Sequence, residues 1–210
     1  MTPATINHGP ARRHLGRSDS ILKNLMRRVG PCTLTVDTDH FGILTRSIIS
    51  QQISTKAARS IHARLLQALP KGKLKPANLL RLTDKEMRGA GLSANKVRSL
   101  RDLAEKVQTK VVPLTRLHKM DDEDVIEHLI TVRGIGRWTA EMFLIFSLGR
   151  LDVLPVDDLG LRAGVREVYA LPELPDKTSL IERGEIWRPY RSIATWYFWR
   201  SRGAVPQSKS

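Results

Sequence analysis

Apolar residues recur at helical spacing along almost the whole chain, and sustained two-residue alternation is scarce. The longest apolar stripe consists of Val97, Leu100, Leu103, Ala104 and Val107. Spacings of three and four residues are typical of an α-helix with one buried face. Glycine and proline divide these stretches into short segments, and no solenoid-length repeat is present. The sequence therefore predicts a mainly α fold with short connections.

Three local signals predict where particular helices begin. Thr83 and Glu86 have the spacing of a capping box, and Gly91 followed by Ser93 is typical of one helix ending and another starting. Four acidic residues at 121–124 would place negative charge on the first turn of a further helix, where the helix dipole favours it. Residues 1–18 show no apolar periodicity, so we expect a disordered or loosely docked basic arm, and we expect a frayed tail at 204–210. The folded domain is predicted to span 19–203.

The chain is strongly basic, with a formal net charge of +14 in 210 residues and a pI near 10.5. Residues 54–116 carry 15 basic and 4 acidic side chains, whereas residues 121–185 carry 7 basic and 14 acidic ones. A polyanion is therefore the expected partner, although a basic surface that only keeps the protein in solution would give the same net charge.

Other classes of protein are disfavoured by composition. A single cysteine, Cys32, excludes internal disulfides and thiolate metal sites, which suits a reducing compartment. No stretch approaches the roughly 20 apolar residues that span a bilayer, and the first residues lack the apolar core of a secretory signal. We expect a soluble intracellular protein with no membrane partner.

The most informative string joins two apolar helices through Gly134-Ile135-Gly136, from Leu129 to Ala140. Two glycines allow a tight turn, and they leave the backbone amides at the start of the second helix accessible. Such amides and the helix dipole can bind an anion such as a DNA phosphate. A plain turn between helices would look the same, and a nucleotide-binding fingerprint is excluded because its third glycine and preceding strand are missing.

Trp138 follows this turn directly, the pair Asp157-Asp158 follows the next helix, and a string from Trp187 to Ser192 leads to Trp199. Together with the turn, these residues resemble the helix-hairpin-helix superfamily of DNA glycosylases, most closely the 3-methyladenine DNA glycosylase II group. Lyase members of the superfamily carry a Schiff-base lysine where Trp138 stands, and the residues from Trp187 to Trp199 resemble the closing helix of that group. The resemblance spans roughly residues 40–202. It implies the short form, which lacks an amino-terminal β-rich domain.

The resemblance implies a two-lobed helical fold with a cleft between the lobes, and a monofunctional enzyme of base excision repair. That enzyme would hydrolyse the N-glycosidic bond of alkylated purines, of the 3-methyladenine and 7-methylguanine type, in double-stranded DNA by base flipping. We expect a monomer, located at the nucleoid in bacterial cytoplasm or in the nucleus of a eukaryote. Two alternatives remain open: a non-catalytic DNA-binding protein with the same hairpin, and a glycosylase for deaminated or oxidised bases.

Asp158 is the candidate catalytic residue. A carboxylate held against the sugar can stabilise an oxocarbenium-like transition state and orient water. Leu161, Val165 and Val168 form a helical stripe after it, so an ordinary helix N-cap is the alternative interpretation of Asp158. Asp157 is the second choice for the catalytic role and a candidate base-pocket residue, and the alternative interpretation is a solvated or capping carboxylate.

The base pocket is expected to include Trp138, Trp199 and Met142. Aromatic faces suit a cationic base, and Met142 stands where some members have an aromatic residue. Aromatic residues at helical spacing are more often core, so we expect the aromatic residues other than Trp138 and Trp199 to pack in the interior. Gln52, in the polar string 50–54 of an otherwise apolar helix, is by resemblance the wedge that fills the gap left by an extruded nucleotide. Polar residues exposed on a helix would give the same pattern.

The remaining expectations concern the DNA backbone and cofactors. Backbone amides of Gly134, Gly136 and Thr139 are the candidate phosphate ligands, and Lys96 is a candidate phosphate contact. No cofactor is expected for catalysis. The resemblance implies a monovalent cation, Na⁺ or K⁺, at the hairpin, and the candidate ligands are backbone carbonyls of Ile130, Val132 and Gly134.

Overall fold

The structure, a computed structural model, describes residues 4–5 and 7–203, and it confirms a mainly α fold. Two short strands, β1 (Ala4–Thr5) and β2 (Thr35–Val36), pair in antiparallel register, with Ala4 opposite Val36. The helices are α1 (Gly9–Ser18), α2 (Ser20–Val29), α3 (His40–Ser50), α4 (Thr55–Ala68), α5 (Pro76–Arg81), α6 (Asp84–Gly89), α7 (Ala94–Gln108), α8 (Asp122–Ile130), α9 (Arg137–Phe146), α10 (Leu159–Val168), α11 (Lys177–Gly184) and α12 (Arg191–Ser201).

The chain divides into two compact units. The continuous unit is Asp39–Phe143, and the discontinuous unit combines Met1–Thr38 with Leu144–Ser210. The boundary after Phe143 falls within α9, so this helix belongs partly to each unit. Among the helices that the structure describes, none is long and apolar enough to cross a membrane.

The discontinuous unit is built around α12, which packs on α10 and α2. Eight consecutive residues of α12, from Ser192 to Trp199, are buried. A helix that is buried on all sides must be enclosed by its neighbours, which explains its central position. Helices α10 and α12 approach each other very closely at Gly164. A Cβ there would lie only 2.6 Å from the carbonyl oxygen of Phe198.

The prediction of a basic arm over residues 1–18 is wrong for residues 9–18, which form α1. Pro10 lies in the first turn, where its missing amide costs no hydrogen bond. Ala11 and Leu15 are buried, and they lie four residues apart on one face of the helix. This pair is enough to dock α1 on α2. The prediction of a disordered arm rests on the many basic residues of the segment, and two apolar residues are too few to show a helical period. The predicted tail, residues 204–210, lies outside the described residues.

Asp19 connects α1 and α2 to the rest of the discontinuous unit. Its buried carboxylate caps α2 by accepting the Leu22 amide at 2.9 Å, and it also accepts the indole N–H of Trp187 at 2.9 Å. The hydroxyl of Tyr169 donates to the same carboxylate, and burial is the largest cause that raises the pKa of Tyr169. Such bonds between buried groups would be costly to break, so this end of the chain is firmly attached.

The continuous unit contains α3 to α8, and its start sites follow the predicted signals. Thr83 and Glu86 form the reciprocal capping box of α6, and the Ser93 side chain caps α7 by accepting the Lys96 amide. Helix α7 packs on α5 and α3 through the predicted stripe. These matches confirm the sequence interpretation of this region.

Candidate active site

Asp158 lies at the start of α10, where it is 6% exposed. Its Oδ1 accepts the backbone amide of Leu161 at 2.6 Å, which makes it the N-cap of α10. The same oxygen accepts the indole Nε1–H of Trp199 at 2.8 Å. The carboxylate is therefore held by two donors from different helices, and its orientation is fixed more firmly than that of an exposed cap.

Trp199 is itself rigidly placed. Its ring is almost fully buried and stacks on Phe146, with ring centroids 5.8 Å apart and planes 19° apart. A Cβ at Gly160 would lie 3.3 Å from the indole, so α10 leaves just enough room for this ring beside Asp158. The expected contact of Trp199 with a base stays a prediction, and its visible role is to position Asp158.

The two neighbouring aspartates have different surroundings. Asp157 is half-exposed, and it forms an ion pair with Lys177 at 2.6 Å. An exposed pair of this kind is screened by water and contributes little. Asp158, which is buried and accepts two hydrogen bonds, is therefore the better candidate for stabilising positive charge on a sugar.

The hairpin, defined as residues Thr131–Gly136, joins α8 to α9. Val132 and Ile135 are buried, while Gly134 and Gly136 are exposed. Gly134 has φ +79°, which favours glycine, and a Cβ there would meet the Ser99 hydroxyl at 2.9 Å. The apolar pair thus anchors the hairpin and leaves its glycines at the surface.

The amides at the start of α9 lack acceptors within the helix. This group includes Gly136 and Thr139, since the first four N–H groups of a helix have no intrahelical partner. Arg137 does not extend over them, because its guanidinium binds Glu123 at 3.0 Å and lies 3.4 Å from Glu141. The hydrogen bond that Arg137 donates to the Glu123 carboxylate raises the pKa of Arg137, which keeps it cationic. The geometry is compatible with phosphate binding by the backbone.

The prediction that the polar string at 50–54 lies on a helix is wrong for residues 51–54. Helix α3 ends at Ser50, and the wedge turn, defined as Gln51–Ile53, leads to α4. Gln52 is exposed and has φ +57°, a backbone conformation that non-glycine residues rarely adopt. The turn directs the chain away from α3 and presents Gln52 at the surface, as a wedge requires.

Lys96 has partners other than the expected phosphate. Its Nζ donates to the carbonyl oxygens of Ile49 at 2.7 Å and Gln51 at 2.9 Å. Desolvation lowers the pKa of this ammonium. A cation at the C-terminal end of a helix is favoured by the helix dipole, so Lys96 closes α3. The phosphate role of Lys96 stays a prediction that this structure does not support.

The other two pocket candidates lie on α9. Trp138 is 39% exposed near the start of the helix, whereas Met142, one turn later, is fully buried. Both belong to the continuous unit, while Asp157, Asp158 and Trp199 belong to the discontinuous unit. Their spacing of four residues places Trp138 and Met142 on one face of α9.

Two further residues near the hairpin were missed by the sequence analysis. Gln51 donates its side-chain amide to the carbonyl of Gly134 at 2.8 Å, and Asp102 accepts the amide of Arg133 at 2.6 Å. Gln51 could have been found as the neighbour of Gln52. Nothing in the sequence marks Asp102, because a single acidic residue within a charged helix is common.

The chain also matches a known family. A family model described as HhH-GPD superfamily base excision DNA repair protein matches residues 45–189. The chain belongs to this superfamily. Within the described residues, no group of three or more histidine, cysteine or acidic side chains is arranged to hold a metal ion.

Relatives with names in this family cover nearly the whole chain. DNA-3-methyladenine glycosylase 1 of Schizosaccharomyces pombe is 37% identical over 204 residues, covering 95% of this chain and 90% of the relative. A solved structure of an S. pombe 3-methyladenine DNA glycosylase with abasic DNA has a TM-score of 0.81 at 35% identity, covering 95% of this chain and all of that chain. A DNA-3-methyladenine glycosidase from Bacillus halodurans gives a TM-score of 0.86 at 36% identity, covering 97% and 93% of the two chains. The resemblance and the two-lobed fold class are confirmed.

The hairpin can be tested with Gly136→Asp. A Cβ at this position meets open space, and aspartate is a favourable N-cap, so α9 should stay folded. The new negative charge would repel a phosphate, and we expect affinity for any duplex sequence to fall about tenfold, equivalent to about 1.4 kcal/mol. Fluorescence anisotropy at fixed salt measures this.

Gly89→Asp is the matched control, since a Cβ there also meets open space but Gly89 ends α6 away from the hairpin. Equal affinities of the Gly136→Asp and Gly89→Asp variants would contradict phosphate binding at the hairpin.

Proposed function

We propose that the protein is a monofunctional DNA glycosylase that hydrolyses the N-glycosidic bond of alkylated purines in double-stranded DNA. The observation that carries this proposal is the buried Asp158 carboxylate, held at the start of α10 by Leu161 and Trp199. The match to base excision repair proteins and the 37% identity with a 3-methyladenine glycosylase support the choice of substrate.

The chemistry requires little from the protein beyond a fixed negative charge. When the C1′–N bond breaks, its electron pair moves to the base and neutralises the positive charge of an N3- or N7-alkylated purine. The sugar becomes oxocarbenium-like, and the Asp158 carboxylate stabilises this charge. Water oriented by the same carboxylate then adds to C1′ and loses a proton. No strong general acid is needed, because the leaving base is already cationic.

Trp138 is the proposed stacking surface for the extruded base. It is the large apolar side chain exposed at the start of α9. A cationic purine stacks favourably on an indole face. Met142 lies one turn further along the same face of α9. Asp157 and Trp199 are proposed as further contacts of the base, as the family resemblance implies.

Duplex DNA is the proposed partner. The net charge of +14 favours a polyanion, and one relative of known structure was solved with abasic DNA. The hairpin amides of Gly134, Gly136 and Thr139 would hold a phosphate, and Gln52 would fill the gap in the base stack. The protein would act as a monomer, at the nucleoid or in the nucleus, where its substrate is.

A monovalent cation at the hairpin is part of this proposal. The carbonyl oxygens of Val132 and Gly134 each accept one hydrogen bond, from the Ile135 amide and the Gln51 side chain. A carbonyl oxygen has two lone pairs, so these atoms and the carbonyl of Ile130 fit Na⁺ or K⁺ as neutral oxygen ligands. The cation would neutralise part of a nearby phosphate charge, and no cofactor takes part in the chemical step.

Asp158→Asn tests the catalytic assignment. Asparagine keeps the acceptor that caps α10 and binds Trp199, but it removes the negative charge. We expect single-turnover release of 3-methyladenine to fall at least about 100-fold, while duplex affinity changes less than about threefold. Asp157→Asn, which breaks only the exposed pair with Lys177, should release the base at nearly the wild-type rate.

The outcomes separate the alternatives. Wild-type release by Asp158→Asn would contradict its catalytic role. A wild-type protein that binds methylated duplex but releases no base would be a non-catalytic DNA-binding protein. Release of hypoxanthine from a second duplex, without release of 3-methyladenine, would assign it to a different lesion.

The monofunctional assignment predicts that the strand stays intact. Cleavage by β-elimination needs an amine that forms a Schiff base with the sugar, but position 138 holds an indole, and Arg137 stays protonated in its pair with Glu123. Borohydride added during the reaction should trap no protein–DNA adduct, and abasic strands should break only on later alkali treatment. An adduct that forms at the rate of base release would contradict this assignment.

A further inference from the structure

One face of α7 contacts both segments that are expected to meet DNA. At its start, Lys96 binds the carbonyl oxygens of Ile49 and Gln51, at the end of α3 and in the wedge turn. Further along, Asp102 accepts the Arg133 amide of the hairpin, and the Ser99 hydroxyl lies 2.9 Å from where a Cβ at Gly134 would be. Steps of three residues return to the same side of a helix, so these side chains share one face.

At the hairpin end, α7 fixes the backbone itself. The Asp102 carboxylate accepts the amide of Arg133 at 2.6 Å, and it pairs with Lys106 at 2.9 Å. Lys106 also donates to the carbonyl oxygen of Thr131. Charged partners thus hold both the first carbonyl and the third amide of the hairpin, and such bonds are stronger than those between neutral groups.

The side chain of Gln51 also joins the wedge turn to the hairpin directly, without α7 between them. Its backbone carbonyl is bound by Lys96, and its side-chain amide donates to the Gly134 carbonyl at 2.8 Å. Gly134 is the residue whose left-handed conformation makes the hairpin turn. The wedge turn and the hairpin are 83 residues apart in sequence, yet this single side chain joins them directly.

The wedge turn needs such support. Gln52 adopts φ +57°, a conformation that is unfavourable for a non-glycine residue and persists only where the surroundings support it. The residue before it is held at both its carbonyl and its side chain. These two bonds restrict the backbone from which Gln52 is presented.

We propose that Gln51 and Lys96 are positioning residues that hold Gln52 at a fixed distance from the phosphate-binding hairpin. The inference rests on the proposed function, since it concerns how the same protein extrudes a nucleotide. When the hairpin binds a phosphate, the wedge is then already aligned with one particular base step. Phosphate binding and wedge insertion occur as one event.

The test uses Gln51→Met, which keeps the length of the side chain and removes the amide donor. The substrate is a duplex with a stable abasic-site analogue and a neighbouring 2-aminopurine, whose fluorescence reports wedge insertion without any base release. We expect the insertion signal and the single-turnover release of 3-methyladenine each to fall about tenfold, while affinity for undamaged duplex changes less than about threefold.

Lys96→Met should have the same pattern of effects, and Lys96→Arg should restore most of the insertion signal because it keeps a cationic donor. Lys85→Met, which removes an exposed lysine on α6, is the control for lost charge and should insert like the wild type. Melting temperatures show which variants are folded. If Lys96→Met unfolds, Gln51→Met still decides the proposal, since its hydrogen bond is at the surface.

A double-mutant comparison separates positioning from general stabilisation. In a Gln52→Ala background there is no wedge to position, so adding Gln51→Met should lower base release less than about twofold further. A wild-type insertion signal in Gln51→Met, a parallel loss of affinity for undamaged duplex, or a full tenfold loss in the Gln52→Ala background would each overturn the proposal. If the wild-type protein inserts its wedge but releases no base, the proposed function fails while this inference stands.

Discussion

The bond between the Trp199 indole and the Asp158 carboxylate is the interaction on which the site depends. It joins the start of α10 to the buried helix α12, and the close approach at Gly164 makes it geometrically possible. A carboxylate fixed in this way does not have to reorganise when positive charge develops beside it. Preorganised charge in a site shielded from water is the largest single contribution to many enzymatic rates.

Asp19 has a similar set of hydrogen bonds in the same unit, and its role there is to hold the fold together. Like Asp158, it caps a helix, accepts an indole N–H and lies in the core of the discontinuous unit. It differs in also accepting the Tyr169 hydroxyl, and it holds α1 and α2 in place. The two interpretations of Asp158, as a helix cap and as a catalytic group, are therefore compatible. Capping α10 is how the fold positions its negative charge.

Features of the fold that depend on neighbouring residues could be predicted from the sequence. Features that depend on contacts between distant segments could not. The capping box at Thr83 and the glycine turn at Gly134 are set by neighbouring residues, so both could be predicted. Helix α1 was missed because a single apolar pair docks it. The partners of Lys96 and the bond between Trp199 and Asp158 come from segments more than 40 residues away, which no pattern in one sequence reveals.

The most direct measurement of the central claim is single-turnover release of 3-methyladenine by Trp199→Phe. Phenylalanine keeps an aromatic ring beside Phe146 but removes the donor to Asp158, and a lost bond to a charged group corresponds to roughly 10- to 100-fold in rate. Trp187→Phe is the matched control, because it removes the equivalent indole bond to Asp19 in the same unit. We expect Trp199→Phe to release the base at least about tenfold more slowly than Trp187→Phe when both are folded. Equal rates for the two folded variants would contradict the dependence of the site on the bond between Trp199 and Asp158.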